Sequence, residues 1–136
     1  LNPAPYQKIS AELLTLCDWI IPNETEFREL HGELPTSDEV LKSFRQGKNS
    51  IVTLGSQGAV YISAEGQLTK VSAPKVTAVD TTGAGDAFVG TFAYSLASGK
   101  DPVTAMTLGI KVASLSVTRK GAQSSYPDQA EIATLS

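Results

Sequence analysis

Apolar positions along this chain fall into short runs that switch between a helical period and compact strand-like blocks. Within residues 6–16, Ile9, Leu13, Leu14 and Leu16 stand among polar neighbours, which predicts a short amphipathic helix. Asp18-Trp19-Ile20-Ile21-Pro22 reads as a buried strand that Pro22 stops. Asn23 then suits a helix N-cap, Glu24 and Glu26 lie where the macrodipole favours acids, and Gly32 closes the helix after His31. Ser37 caps a further helix to about Arg45, with Val40, Leu41 and Phe44 on one face and Gly47 beyond its end.

The second half of the pattern is similar. Ile51-Val52-Thr53-Leu54 predicts a strand ending at Gly55. Ala59-Val60-Tyr61-Ile62 and Leu68-Thr69-Lys70-Val71 flank Glu65-Gly66 as a hairpin. A strand at residues 76–79 leads into a glycine-rich turn. From Gly85 to about Ala97, residues Ala87, Phe88, Phe92, Ala93 and Leu96 recur at helical spacing, and Gly99 ends that helix. Pro102 starts an apolar helix reaching about Thr118, residues 124–127 are loop, and a terminal helix follows from Asp128. Strands alternating with helices predict one α/β layered domain over residues 1–136.

Composition narrows the partners. A net charge of −3 gives no basic footprint for nucleic acid or an acidic membrane surface. Apolar runs such as Trp19-Ile20-Ile21 fall far short of the ~20 residues that span a bilayer. The start has neither a charged nor an apolar leader region, and it does not begin with Met; a fragment is expected. The single cysteine, Cys17, cannot form an internal disulfide and sits in an apolar run, so a buried structural thiol in a reducing, cytoplasmic compartment is expected. One Cys and one His exclude a Cys/His zinc site in a single chain, and His31 reads as a helix C-terminal residue.

Chemistry concentrates in Val79-Asp80-Thr81-Thr82-Gly83-Ala84-Gly85-Asp86-Ala87-Phe88. Glycines between a strand and a helix let successive amides converge, and the helix start adds unpaired N–H groups; together they form an anion nest. Asp86 has two readings there. It can accept the proton of a substrate hydroxyl while the amides hold a phosphoryl group, or it can simply satisfy the helix N-terminus. A Walker A loop is missing its Ser/Thr after Gly47-Lys48 and Gly99-Lys100, and a dinucleotide fingerprint is missing its third glycine at Phe88. Thr53-Leu54-Gly55-Ser56-Gln57-Gly58 offers close backbone approach to a ligand, or is a plain strand-to-hairpin turn. Asn23-Glu24-Thr25-Glu26 puts Asn23 and Glu26 on one side of a helix start, for ligand contact or for capping.

Taken together these residues resemble the ribokinase-type (PfkB) carbohydrate kinase family over essentially the whole chain. Asp80-Thr81-Thr82-Gly83-Ala84-Gly85-Asp86 is similar to that family's second signature. Leu1-Asn2-Pro3-Ala4-Pro5, Asp18-Trp19-Ile20-Ile21-Pro22-Asn23-Glu24-Thr25-Glu26 and Thr118-Arg119-Lys120-Gly121-Ala122-Gln123 narrow the resemblance towards its ribose-phosphorylating members. The resemblance implies a Rossmann-like, three-layer α/β/α ribokinase fold. It implies the C-terminal portion only, without the N-terminal sugar-binding strands and lid, and hence an unprotected sheet edge.

The same resemblance implies ATP-dependent phosphorylation of D-ribose to ribose 5-phosphate, or of another sugar or a nucleoside. A nucleotide-binding module without turnover is the reading outside the enzyme class. Asp86 would touch the sugar hydroxyl as base, and the amides of Gly83, Ala84 and Gly85 would form the anion hole. Thr53, Leu54, Gly55, Ser56, Gln57 and Gly58 would line the nucleotide site, with Gly85 and Asp86 also near the nucleotide. Asn23 would contact the ATP phosphates, and Glu26 would organise Mg²⁺ through its water shell. Asp80, Thr82, Ser116, Arg119, Gly121 and Ser125 match positions around an activating K⁺, several through carbonyls. Ile110 stands where such kinases carry Asn or His beside adenine, so the contact there would be apolar. A homodimer formed through the lid is implied for the full-length protein, and this chain alone is expected to be a poor kinase or an inactive one.

Overall fold

A computed structural model describes residues 1–44 and 47–135, which separate into two compact units, Leu1–Lys70 and Val71–Ser136. The first unit carries the sheet. Its elements are helix α1 (Ala11–Leu16), strand β1 (Trp19–Ile20), helices α2 (Glu24–His31) and α3 (Asp38–Ser43), and strands β2 (Asn49–Thr53), β3 (Ala59–Ile62) and β4 (Leu68–Val71). The strand order is β1-β2-β3-β4. The β1–β2 pairing is parallel, with Trp19 opposite Asn49, and β2–β3 is antiparallel, with Val52 opposite Val60. The β3–β4 turn forms as the sequence predicts: Gly66 donates to the Ser63 carbonyl at 2.9 Å in a left-handed conformation.

The core of this unit joins strand and helix faces. Ile20, Val52, Val60 and Ile62 meet Phe27, Leu41 and Phe44, with Leu14 and Leu30 at the margin. The Phe27 and Phe44 rings lie 4.5 Å apart, an aromatic pair that adds to simple area burial. Both helices are capped: Asn23 and Ser37 accept N–H groups in their first turns, and Gly32 ends α2 in the left-handed region. His31, the last residue of α2, bonds Ser43 Oγ through Nε2 at 2.9 Å and packs edge-on against Phe27 and Phe44.

The second unit is helical on its core side: α4 (Ala84–Ala97), α5 (Pro102–Ser116) and α6 (Gln129–Leu135). Ala87 on α4 meets Leu108 and Val112 on α5, with Tyr126, Ile132 and Leu135 against them. Asp101 caps α5 through the amides of Val103 and Thr104, with Pro102 in the first turn where its missing N–H costs nothing.

Several expected boundaries move. The first helix starts at Ala11 rather than residue 6, because Ser10 Oγ takes the Leu13 amide and sets the N-cap there. Cys17 is half-buried at the end of α1, not buried. β1 keeps only Trp19 and Ile20, and its outer edge is covered in part: Leu1 N donates to the Trp19 carbonyl, and Ile21 N to the Leu1 carbonyl. α3 ends at Ser43, and Arg45, where the sequence put its end, lies outside the described residues. No strand forms at residues 76–79. Val79, 55% exposed, gives its N–H to the Val117 carbonyl at 2.7 Å, so the segment ties to the end of α5 instead of to a strand neighbour.

Candidate active site

The turn before α4 is built by glycine stereochemistry. Gly83 sits at φ 79°, ψ 0°, and a Cβ there would stand 2.7 Å from the Tyr126 hydroxyl oxygen and 3.2 Å from the Ala122 Cβ. Gly85, by contrast, has open space around it. The Gly83 carbonyl accepts two hydrogen bonds, from the Ala87 amide at 2.9 Å and from the Tyr126 hydroxyl at 3.1 Å. The Ala84 amide makes a long contact of 3.3 Å to the Thr81 carbonyl. The amides of Gly85 and Asp86 follow in the first turn, where N–H groups have no carbonyl one turn back within the helix.

Asp86 is the third residue of α4. Among the described residues three helices carry an acid at this position, and they use it differently. In α2, Glu26 Oε2 accepts the Asn23 amide at 2.9 Å while Asn23 Oδ1 accepts the Glu26 amide at 2.9 Å, a closed capping box. At the start of α6, Glu131 Oε2 accepts the Asp128 amide at 3.1 Å and Asp128 Oδ1 accepts the Glu131 amide at 2.9 Å. At α4 the N-cap is Gly83, which has no side chain to reciprocate, and its left-handed backbone aims the chain differently. Among the described residues, no donor is hydrogen-bonded to the Asp86 carboxylate, and the residue is exposed. A capping box therefore forms at Glu26 and not at Asp86, whose exposed carboxylate in the first turn still faces the positive end of the helix dipole.

Asp80 is committed to backbone. Its Oδ1 accepts the Thr82 amide at 2.9 Å and its Oδ2 accepts the Gly121 amide at 2.9 Å. The Thr82 hydroxyl, the Thr82 amide and the Gly121 amide hold its carboxyl at about 2, well below the usual range, because all three bond the ionised form. Within the 116–125 segment, the Arg119 amide donates to the Ser116 carbonyl at 3.0 Å, and Ser125 is buried with its Oγ on the Ala122 carbonyl at 2.6 Å. The Arg119 guanidinium forks onto Glu131, Nη2 to Oε1 at 2.5 Å and Nη1 to Oε2 at 3.1 Å. The structure thus ties Asp80, Thr82 and Gly121 into one cluster, and Ser116 to Arg119. Among the described residues no group of three or more His, Cys, Asp and Glu stands together to hold a metal ion. The oxygen donors here, one ionised carboxylate with carbonyls and hydroxyls, suit a hard cation.

In the first unit, a bridge pairs Asn23 with Thr53, and the Thr53 amide donates to the Pro22 carbonyl at 3.0 Å. This brings the α2 N-terminus beside the 53–58 segment. That segment is a 3-10 turn over Gly55–Gln57 between glycines at φ 53° and 104°, closed by the Leu54 amide on the Gly58 carbonyl at 2.8 Å. Glu26 is 5% exposed, while Gly55, Ser56 and Gln57 are exposed. Ile110 is 5% exposed within α5, which limits the surface it could offer a base ring. Tyr126 and Glu131 went unread in the sequence. The Asp128-to-Glu131 spacing is a capping-box signal that pointed to Glu131, whereas nothing local marks Tyr126.

Residues 1–129 match the pfkB family of carbohydrate kinases, and the chain belongs to that family. Its α/β architecture is that of ribokinase-fold structures. The ribokinase of Schizosaccharomyces pombe is 41% identical over 141 residues, covering 97% of this chain and 44% of that protein. A deoxyribokinase of Salmonella typhi is 42% identical over 134 residues, covering 93% and 44%. The solved structure of Arabidopsis thaliana ribokinase complexed with ribose and ATP superposes with a TM-score of 0.85 at 32% identity, covering 93% of this chain and 43% of that one. The chain spans less than half the length of these relatives. Among the described residues, no helix is long and apolar enough to cross a membrane.

Proposed function

We propose that the protein carrying this chain transfers the γ-phosphoryl group of ATP to the 5-hydroxyl of D-ribose, giving ribose 5-phosphate and ADP. The observation that carries this reading is the uncapped Asp86 carboxylate at a glycine-built helix start. Asp86 takes the proton of the hydroxyl as its oxygen attacks the γ-phosphorus, and the bond to the β-phosphate oxygen breaks. The amides of Gly83, Ala84 and Gly85 bond the equatorial oxygens of the transferring group. Of these, the Ala84 amide makes only a long 3.3 Å contact to the Thr81 carbonyl, which it would share with a phosphoryl oxygen without reorienting.

Thr53 to Gly58 line the nucleotide site and Asn23 touches the phosphates through its amide nitrogen, since its Oδ1 is held in the cap. Glu26, buried at the same helix start, orients waters of a Mg²⁺ ion; bound there, the ion would neutralise phosphate charge. Asp80, Thr82, Ser116, Arg119, Gly121 and Ser125 surround K⁺, whose charge would balance the carboxylate and steady the turn. Ile110 is an apolar neighbour of the adenine. The full-length protein is a cytoplasmic homodimer, and this chain alone turns over poorly, because apart from Asp86 the ribose-reading residues lie elsewhere.

A second sugar is the main rival. The deoxyribokinase matches at 42% identity against 41% for the ribokinase, so identity does not choose between the two substrates. ADP release by the protein, measured with ribose, 2-deoxyribose and adenosine in parallel, tests the reading. Preference for ribose supports it, preference for another acceptor reassigns the substrate, and ATP binding with no acceptor turned over points to a nucleotide-binding module.

A further inference from the structure

Tyr126 is partly buried, with its ring against Ala87, Leu108 and Val112, and a packed tyrosine ring needs only some partner for its hydroxyl. The partner it has is the one carbonyl whose direction matters for the turn. The Tyr126 hydroxyl donates to the Gly83 carbonyl at 3.1 Å, opposite the 2.9 Å bond from the Ala87 amide. Gly83 C=O and Ala84 N–H belong to one rigid planar peptide unit, so fixing the carbonyl fixes where the Ala84 N–H points. Tyr126 and Ala122 also fill the space beside the Gly83 α-carbon, at 2.7 and 3.2 Å from where a Cβ would lie. The same segment carries Gly121, whose amide holds Asp80 Oδ2, and Ser125, whose Oγ and N–H both bond the Ala122 carbonyl. One loop therefore grips the turn on both sides.

Resting on the kinase reading above, we propose that Tyr126 is a positioning residue for phosphoryl transfer. Its hydroxyl pins the Gly83–Ala84 peptide, and through it the 119–126 loop sets the aim of the anion-binding amides.

The test is Tyr126→Phe, which keeps the packed ring and deletes only the hydroxyl. In the full-length protein, kcat should fall about 3- to 10-fold, the range expected for one neutral hydrogen bond expressed in the transition state. KM for ATP and sugar should stay within about twofold, and the melting temperature should hold, since the ring still packs. Unchanged kcat overturns the proposal. So does a fall in kcat that tracks loss of folded protein, which marks a merely structural tyrosine. If the wild-type protein transfers no phosphate to any acceptor, the kinase reading fails separately. The pin is then read by hydrogen exchange at the Gly85 and Asp86 amides: faster exchange in Tyr126→Phe upholds it, and identical exchange overturns it.

Discussion

Asp80 and Gly121 are joined across 41 positions of sequence by a 2.9 Å hydrogen bond from the Gly121 amide to Asp80 Oδ2. The other oxygen of the same carboxylate takes the Thr82 amide, so a single side chain braces both the turn before α4 and the loop after α5. The brace works only when Asp80 is ionised, and it has a pH signature. With the carboxyl held at about 2 against an ordinary 3.8, the bonds contribute stability that is complete above 3.8 and is lost as pH falls through about 2. Melting curves of wild type and Asp80→Asn should differ most above pH 4 or so and converge as the pH approaches about 2. Other lowered carboxyls, such as Asp101 and Glu131, are common to both proteins and cancel. A difference that does not shrink over that window contradicts the brace.

The two glycines of the turn should respond differently to alanine. Gly83→Ala combines a left-handed φ of 79° with a Cβ 2.7 Å from the Tyr126 oxygen, and should cost about 1–3 kcal/mol in denaturant unfolding. Gly85→Ala meets nothing within 4 Å inside the first turn of a helix, and should be neutral or stabilising by up to about 1 kcal/mol. Equal effects at the two sites would show that the turn is not held as described.

Asn23 has a structural role and a proposed ligand role, and two substitutions separate them. Asn23→Ala opens the capping box and should cost about 0.5–2 kcal/mol in stability. Asn23→Asp keeps a good cap but replaces the amide nitrogen by an anionic oxygen. It should raise KM for ATP by about tenfold or more with little change in stability. An unchanged KM in Asn23→Asp would leave Asn23 as a cap alone.

Local chemistry was readable in the sequence wherever one segment decided the outcome. Asn23, Gly32 and Ser37 cap helices as their types demand, and β3 and β4 fall where the hairpin pattern put them. The strand expected at residues 76–79 failed because a strand needs a neighbour, and β propensity cannot supply one. The helix drawn from residue 6 failed because Ser10 captured the Leu13 amide, a local competition that apolar spacing does not register. For the site, the glycine turn and its carboxylate were legible in the run from Asp80 to Asp86. The bonds from Gly121 and Tyr126 were not, since both cross about 40 residues and follow from packing.

The sequence left Asp86 between helix cap and base. The contrast with Glu26 narrows the first reading: Glu26 closes a capping box at the position where Asp86 closes none, which leaves Asp86 only the macrodipole as a helix-terminus role. The most direct test is Asp86→Asn in the full-length protein, assayed for phosphoryl transfer and for ATP binding. With Asp86 as the base, kcat falls by about 10²- to 10⁴-fold while the ATP dissociation constant stays within a few-fold of wild type. A variant that keeps the wild-type kcat would contradict that role.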